Sequence, residues 1–144
     1  MSGFLLDTNV VSELIRPKPN EHVVRWVEAT DESIMFLSVL AVGEIRKGIE
    51  RLRAGSRRGR LESWLQVDLR SRFQDRILPV HEAIADRWGA ISARAAAKGK
   101  PVPVIDGLLA ATALDHNLTL VTRNTSDVAG TGVPTLNPWS CEAR

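Results

Sequence analysis

The sequence predicts one α/β domain spanning residues 1–144, built on a central, mostly parallel sheet with helices on both faces. Two observations carry this expectation. Short continuous apolar runs alternate with segments whose apolar residues recur at helical spacing, and strands covered on both faces read as such runs. Acidic residues follow several of these runs, at the carboxyl ends of strands where open α/β sheets place their sites.

Each element has its own signal. Gly3-Phe4-Leu5-Leu6-Asp7 reads as a short buried strand, and a helix through Val11, Leu14 and Ile15 must stop before Pro17. Val23, Trp26 and Val27 mark a second helix, and Ile34-Met35-Phe36-Leu37 a second strand. Ser38 stands where an N-cap belongs, opening a helix with the stripe Val42, Ile45, Ile49 and Leu52. A basic segment, Gly55 to Arg60, then separates this helix from another marked by Leu61, Trp64, Leu65, Leu69 and Phe73. Arg76 to Val80 is a short strand candidate, and Ile84, Trp88, Ile91 and Ala95 share one helical face. The loop from Lys98 to Pro103 leads into a mostly apolar helix from Ile105 to Leu114. Leu118 to Thr122 is the clearest strand, rich in β-branched residues, and a last short strand is expected near Thr135-Leu136.

The composition, 44% hydrophobic and 25% charged over 144 residues, is that of a globular chain able to bury a core without disulfides. The single cysteine, Cys141, excludes an internal disulfide or a metal-binding cysteine pair. No apolar run approaches the ~20 residues that cross a bilayer, and the N-terminal stretch lacks a basic n-region. A cytoplasmic protein is expected, with no membrane partner. The net charge of +2 does not by itself identify a nucleic-acid binder.

Four acids stand out. Asp7 follows the first strand, and Glu44 lies on the third helix with Ala41 and Gly48 as small neighbours. Asp106 opens the apolar helix, and Asp127 follows the last clear strand with Asn124 nearby. Each has a plain structural role open to it: Asp7 and Asp106 as N-caps, Glu44 as a solvated helix residue, Asp127 as a turn former. Together they suggest a metal site, because a parallel sheet brings such positions to one edge. Clustered carboxylates raise one another's pKa unless a cation neutralises them. All-oxygen donors suit Mg²⁺ or Mn²⁺, and such a site activates water against a phosphodiester.

Other chemistries fit less well. His22, His81 and His116 are far apart and lack zinc-ligand spacing. There is no Gly-rich phosphate loop and no nucleophile elbow around a serine. A haloacid-dehalogenase-type phosphatase needs a second Asp two residues after the first, where Asn9 stands.

Leu5-Leu6-Asp7-Thr8-Asn9, Glu44 within Leu40–Ile45, Asp106 to Ala113, and Val121 to Asp127 together resemble the ordered motifs of PIN domains, in particular the VapC-type toxins and their FitB-like branch. The resemblance spans nearly the whole chain. It implies a three-layer fold and a metal-dependent endoribonuclease. By residue, it implies that Asp7, Glu44 and Asp106 hold Mg²⁺ or Mn²⁺. At the fourth acidic position this chain offers Asn124 or Asp127; we assign Asp127 to the metal and Asn124 to a supporting polar role. Thr8 either hydrogen-bonds beside the metal or is simply an early helix residue. The resemblance further implies an RNA substrate, a cognate VapB-type antitoxin, a homodimer, and promoter DNA bound only through the antitoxin. The rival class is a PIN-like module that binds RNA or protein without cutting.

An acidic site needs positive surroundings to attract RNA. Arg46 and Lys47 on the third helix, and Arg57 and Arg58 after it, are the first candidates, with Lys98 and Lys100 beside the loop before Asp106. Arg70, Arg72 and Arg76 are expected to be solvated. Leu61 and Trp64 are expected as exposed apolar contacts for an antitoxin helix. Trp26, Trp64, Trp88 and Trp139 are expected in the core or an interface rather than as base-stacking platforms.

Overall fold

The computed structural model describes residues 3–140; Cys141 lies outside them. Five strands form the parallel sheet, in the order β3-β2-β1-β4-β5. In chain order, β1 (Phe4–Leu6) leads into α1 (Thr8–Leu14) and α2 (Glu21–Ala29), and β2 (Met35–Ser38) into α3 (Val39–Glu50). The helical stretch that follows consists of α4 (Ser56–Ser63), a π-helical segment at Trp64–Leu69 and α5 (Arg70–Arg72). Then come β3 (Ile77–Leu78), α6 (Glu82–Ala97), α7 (Val104–Asp115), β4 (Thr119–Val121) and β5 (Thr135–Leu136).

Side-chain alternation along the central strands divides the core into two layers. Leu6, Leu37 and Val121 pack on one face with Val10, Val23, Ile45, Leu65 and Leu69. Leu5 and Leu120 pack on the other with Ile84, Ile91 and Leu109. The central strands β1 and β4 are therefore apolar on both sides, which is why they read as continuous runs in the sequence. Register aligns Leu6 with Val121, so the next residues, Asp7 and Thr122, emerge side by side at the carboxyl edge.

Local chemistry explains the starts of the first three helices. The Ser38 hydroxyl accepts from the Leu40 N–H at 3.0 Å and caps α3 as expected. Asn20 caps α2 by accepting from the His22 and Val23 N–H groups. Its own N–H donates to the buried Glu13 carboxylate at 2.8 Å. Burial pushes Glu13 upward, but the Asn20 N–H and the Arg16 guanidinium outweigh it and hold the pKa below the ordinary value.

Several expectations are corrected. The basic segment is not a spacer, because α4 already begins at Ser56. Arg58 donates to the Leu52 carbonyl at 3.1 Å and pairs with Glu50, closing the elbow between α3 and α4. Leu61 and Trp64 are half-buried against the core; the exposed large apolar side chains include Val67 and Val104. Arg76 is no solvated residue, since its guanidinium donates to the Glu32 and Met35 carbonyls and lies 5.0 Å from the Phe73 ring centroid. Arg72 is exposed, as expected, and makes two hydrogen bonds to Glu32. His81 and His116, far apart in sequence, meet with ring centroids 6.4 Å apart. The four tryptophans pack against the two core layers. No helix among the described residues is long and apolar enough to cross a membrane.

Candidate active site

Asp7 sits at the junction of β1 and α1, 7% exposed. It is the N-cap of α1: one carboxylate oxygen accepts the Thr8 N–H at 2.7 Å. The other accepts the Thr122 hydroxyl at 2.8 Å. Burial raises the pKa of Asp7, the Thr122 and Thr8 bonds oppose it, and the charges of Glu44 and Asp127 raise it further. The net effect is upward. A cap role and a place in the acidic cluster therefore coexist in one residue.

Glu44 is half-buried on α3 and its carboxylate accepts the Thr8 hydroxyl at 2.6 Å. Thr8 thus bridges two acids, with its backbone N–H on Asp7 and its side chain on Glu44. Asp106 is in the first turn of α7 but is not its cap, which is Pro103. Burial, followed by the charges of Asp7, Asp127 and Glu44, pushes the Asp106 carboxyl up to about 6.

Asp127 is exposed in the first turn of the 3₁₀ segment Thr125–Thr131, and its charge reaches both Asp7 and Asp106. Asn124 is also exposed. Its backbone N–H donates to the Thr122 hydroxyl at 3.1 Å. Among the described residues its side chain makes no hydrogen bond to any of the four acids.

The fold thus gathers Asp7, Glu44, Asp106 and Asp127 from the ends of β1 and β4 and from α3 and α7. Among the described residues, no lysine, arginine or histidine pairs with any of them. A hard divalent ion fits this donor set: every donor is oxygen, the charge is uncompensated, and the amide oxygen of Asn9 is buried beside it without a hydrogen bond.

Thr122 and Asn9 were missed from sequence. Thr122, 1% exposed, holds Asp7 directly. The Asn9 amide leans toward Asp7 and Thr122 at 3.5 and 3.4 Å. The available signal was positional: Thr122 is the first residue beyond β4, which lies next to β1.

The basic candidates divide. Arg46 pairs with Glu50 and Glu62, and Arg58 with the same two acids. Lys47 and Arg57 are exposed and form no ion pair among the described residues.

The comparisons agree with this geometry. The PIN-domain family model matches residues 4–128. Toxin FitB of Neisseria gonorrhoeae is 39% identical over 135 residues, covering 94% of this chain and 97% of its own. VapC ribonuclease Y4jK of Sinorhizobium fredii is 33% identical over 94% of this chain and 96% of its own. The crystal structure of FitAcB from Neisseria gonorrhoeae matches with a TM-score of 0.92 at 38% identity, covering 96% of this chain and 99% of that one. The chain belongs to the PIN-domain family and, within it, to the branch of the FitB and VapC toxins.

Proposed function

We propose that the chain is a metal-dependent endoribonuclease toxin, with Asp7, Glu44, Asp106 and Asp127 holding Mg²⁺ or Mn²⁺. The observation that carries this reading is the meeting of four acids from separate parts of the chain with no protein cation among the described residues, the half-buried Asp106 among them pushed up to about 6. When bound, the ion supplies charge neutralisation and water activation for hydrolysis of an RNA phosphodiester. The chain's own residues do the positioning. Thr8 fixes Asp7 relative to Glu44, and Thr122 holds the second oxygen of Asp7, leaving the carboxylate one orientation. Lys47 and Arg57 attract the phosphate backbone, while Arg46 and Arg58 contribute only when RNA displaces Glu50 or Glu62. Asn124 supports the site through its backbone contact with Thr122.

A VapB-type antitoxin is the expected partner, since the solved structures similar to this chain include a DNA-bound VapBC and a toxin–antitoxin complex. A cleft lined by Leu14, Ile15, Val27 and Trp64 and flanked by Asp68 and Arg72 suits an amphipathic helix of that partner.

The test is incubation of the chain, freed of any partner, with total RNA and Mg²⁺ or Mn²⁺, beside an EDTA-treated sample and Asp7→Asn. Discrete products absent from both controls support the proposal. RNA binding without cleavage by the folded chain replaces it with the silent module.

A further inference from the structure

A second cluster of potential ligands stands apart from the acids. His81 is the N-cap residue of α6, and Asp115 and His116 close α7. Nε2 of His81 lies 3.5 Å from Oδ2 of Asp115, and the two imidazole rings are tilted by 59° at 6.4 Å. One ligand atom from each of the three residues falls within 4.8 Å of the others. Both histidines are exposed and Asp115 is half-buried, so the group is open to solvent. It is also remote from the acidic site: His116 follows Asp106 by ten positions, about 15 Å of helix rise along α7.

We propose that His81, Asp115 and His116 bind a borderline divalent transition metal of the Zn²⁺ class. Two imidazole nitrogens and a carboxylate are the mixed donors such ions prefer, whereas the all-oxygen acidic site selects hard ions. Bonds of about 2.0–2.1 Å in a tetrahedral site require ligand atoms about 3.3 Å apart. Both rings are exposed, so binding calls for rotation about their side-chain bonds. Three protein ligands leave one position for water. A bound ion ties the start of α6 to the end of α7, so it stabilises the folded chain by linkage. The site is independent of the ribonuclease reading and survives its failure.

The test is titration of the EDTA-treated, tag-free chain with ZnCl₂ by calorimetry, with Co²⁺ absorption reporting the ligand field. His81→Ala, His116→Ala, Asp106→Asn and Cys141→Ser are compared, each checked for folding by circular dichroism. Because Zn²⁺ also enters carboxylate sites, the histidine variants are made in the Asp106→Asn chain. The expected result is a Zn²⁺ site that persists in Asp106→Asn and in Cys141→Ser and is at least ten-fold weaker when His81→Ala or His116→Ala is added. Zn²⁺ should also raise Tm in the Asp106→Asn chain and not once His81→Ala is added to it. Absence of saturable binding, full affinity in either histidine variant, or loss of binding in Asp106→Asn or Cys141→Ser overturns the proposal.

Discussion

Asp7 shows how one side chain serves fold and site together. Its cap bond to Thr8 satisfies a helix-end donor, and asparagine caps about as well as aspartate. Asp7→Asn should therefore melt within a few degrees of the parent chain. It should also lose RNA cleavage by more than about 100-fold, since loss of even a ligand's supporting partner costs 10–100-fold. Cleavage assays and thermal melts on the same preparation check both halves. Thr122→Val keeps the side-chain shape and removes the hydroxyl that holds Asp7. The expected outcome is metal affinity weaker by about 10–100-fold, measured by Mn²⁺ titration. Asp7 itself was legible from the sequence because an acid directly after a buried run is conspicuous. Thr122 was not, because a threonine ending a strand looks like ordinary β-propensity until β1 and β4 are set side by side.

At the scale of elements, α6 and α7 are pressed together where Gly107 meets Trp88. A Cβ on Gly107 would lie 3.0 Å from both Cδ1 and Nε1 of the indole, and the ring is packed against the core. Gly107→Ala should cost about 1–3 kcal/mol by overpacking, read from urea denaturation at unchanged m-value. An unaltered midpoint would mean that the ring yields freely. The α3–α4 elbow is where sequence reasoning failed at this scale. Gly55, Gly59 and a run of arginines read as a loop, but Arg58 ties Glu50, Glu62 and the Leu52 carbonyl together and starts the helix early. Tertiary ion pairs overrode a weak local preference. The helices with a clear apolar stripe had no such competition: α6 appears where its periodicity placed it, and α3 does so except that it ends two residues before Leu52.

At the scale of the whole molecule, the acidic cluster carries an uncompensated charge that opposes folding. The pKa of Asp106 is about 6 in the folded chain against an ordinary 3.8. The folded state thus holds the extra proton between these values, and stability from this group declines as pH rises through that window. In the metal-free chain, Asp106→Asn should raise Tm at pH 8 and do so less at pH 5, where Asp106 is already largely protonated. Mg²⁺ should likewise raise the parent Tm more at pH 8 than at pH 5, because protons compete for the same carboxylates. Melting curves at the two pH values, with and without Mg²⁺, check both. A Tm gain from Mg²⁺ that is equal at both pH values would separate Asp106 from the metal.

The sequence by itself determined the class of fold and the acids worth watching. Strands buried on both faces must be continuously apolar, helices must repeat every three to four residues, and acids that end such strands arrive at one edge of a parallel sheet. Tertiary structure alone decided what those residues touch. Thr8 joins Asp7 to Glu44 across 36 positions, Thr122 reaches Asp7 across 115, and His81 meets Asp115 and His116. Such contacts depend on strand register and on the packing of whole helices, and periodicity within a short window carries no information about either.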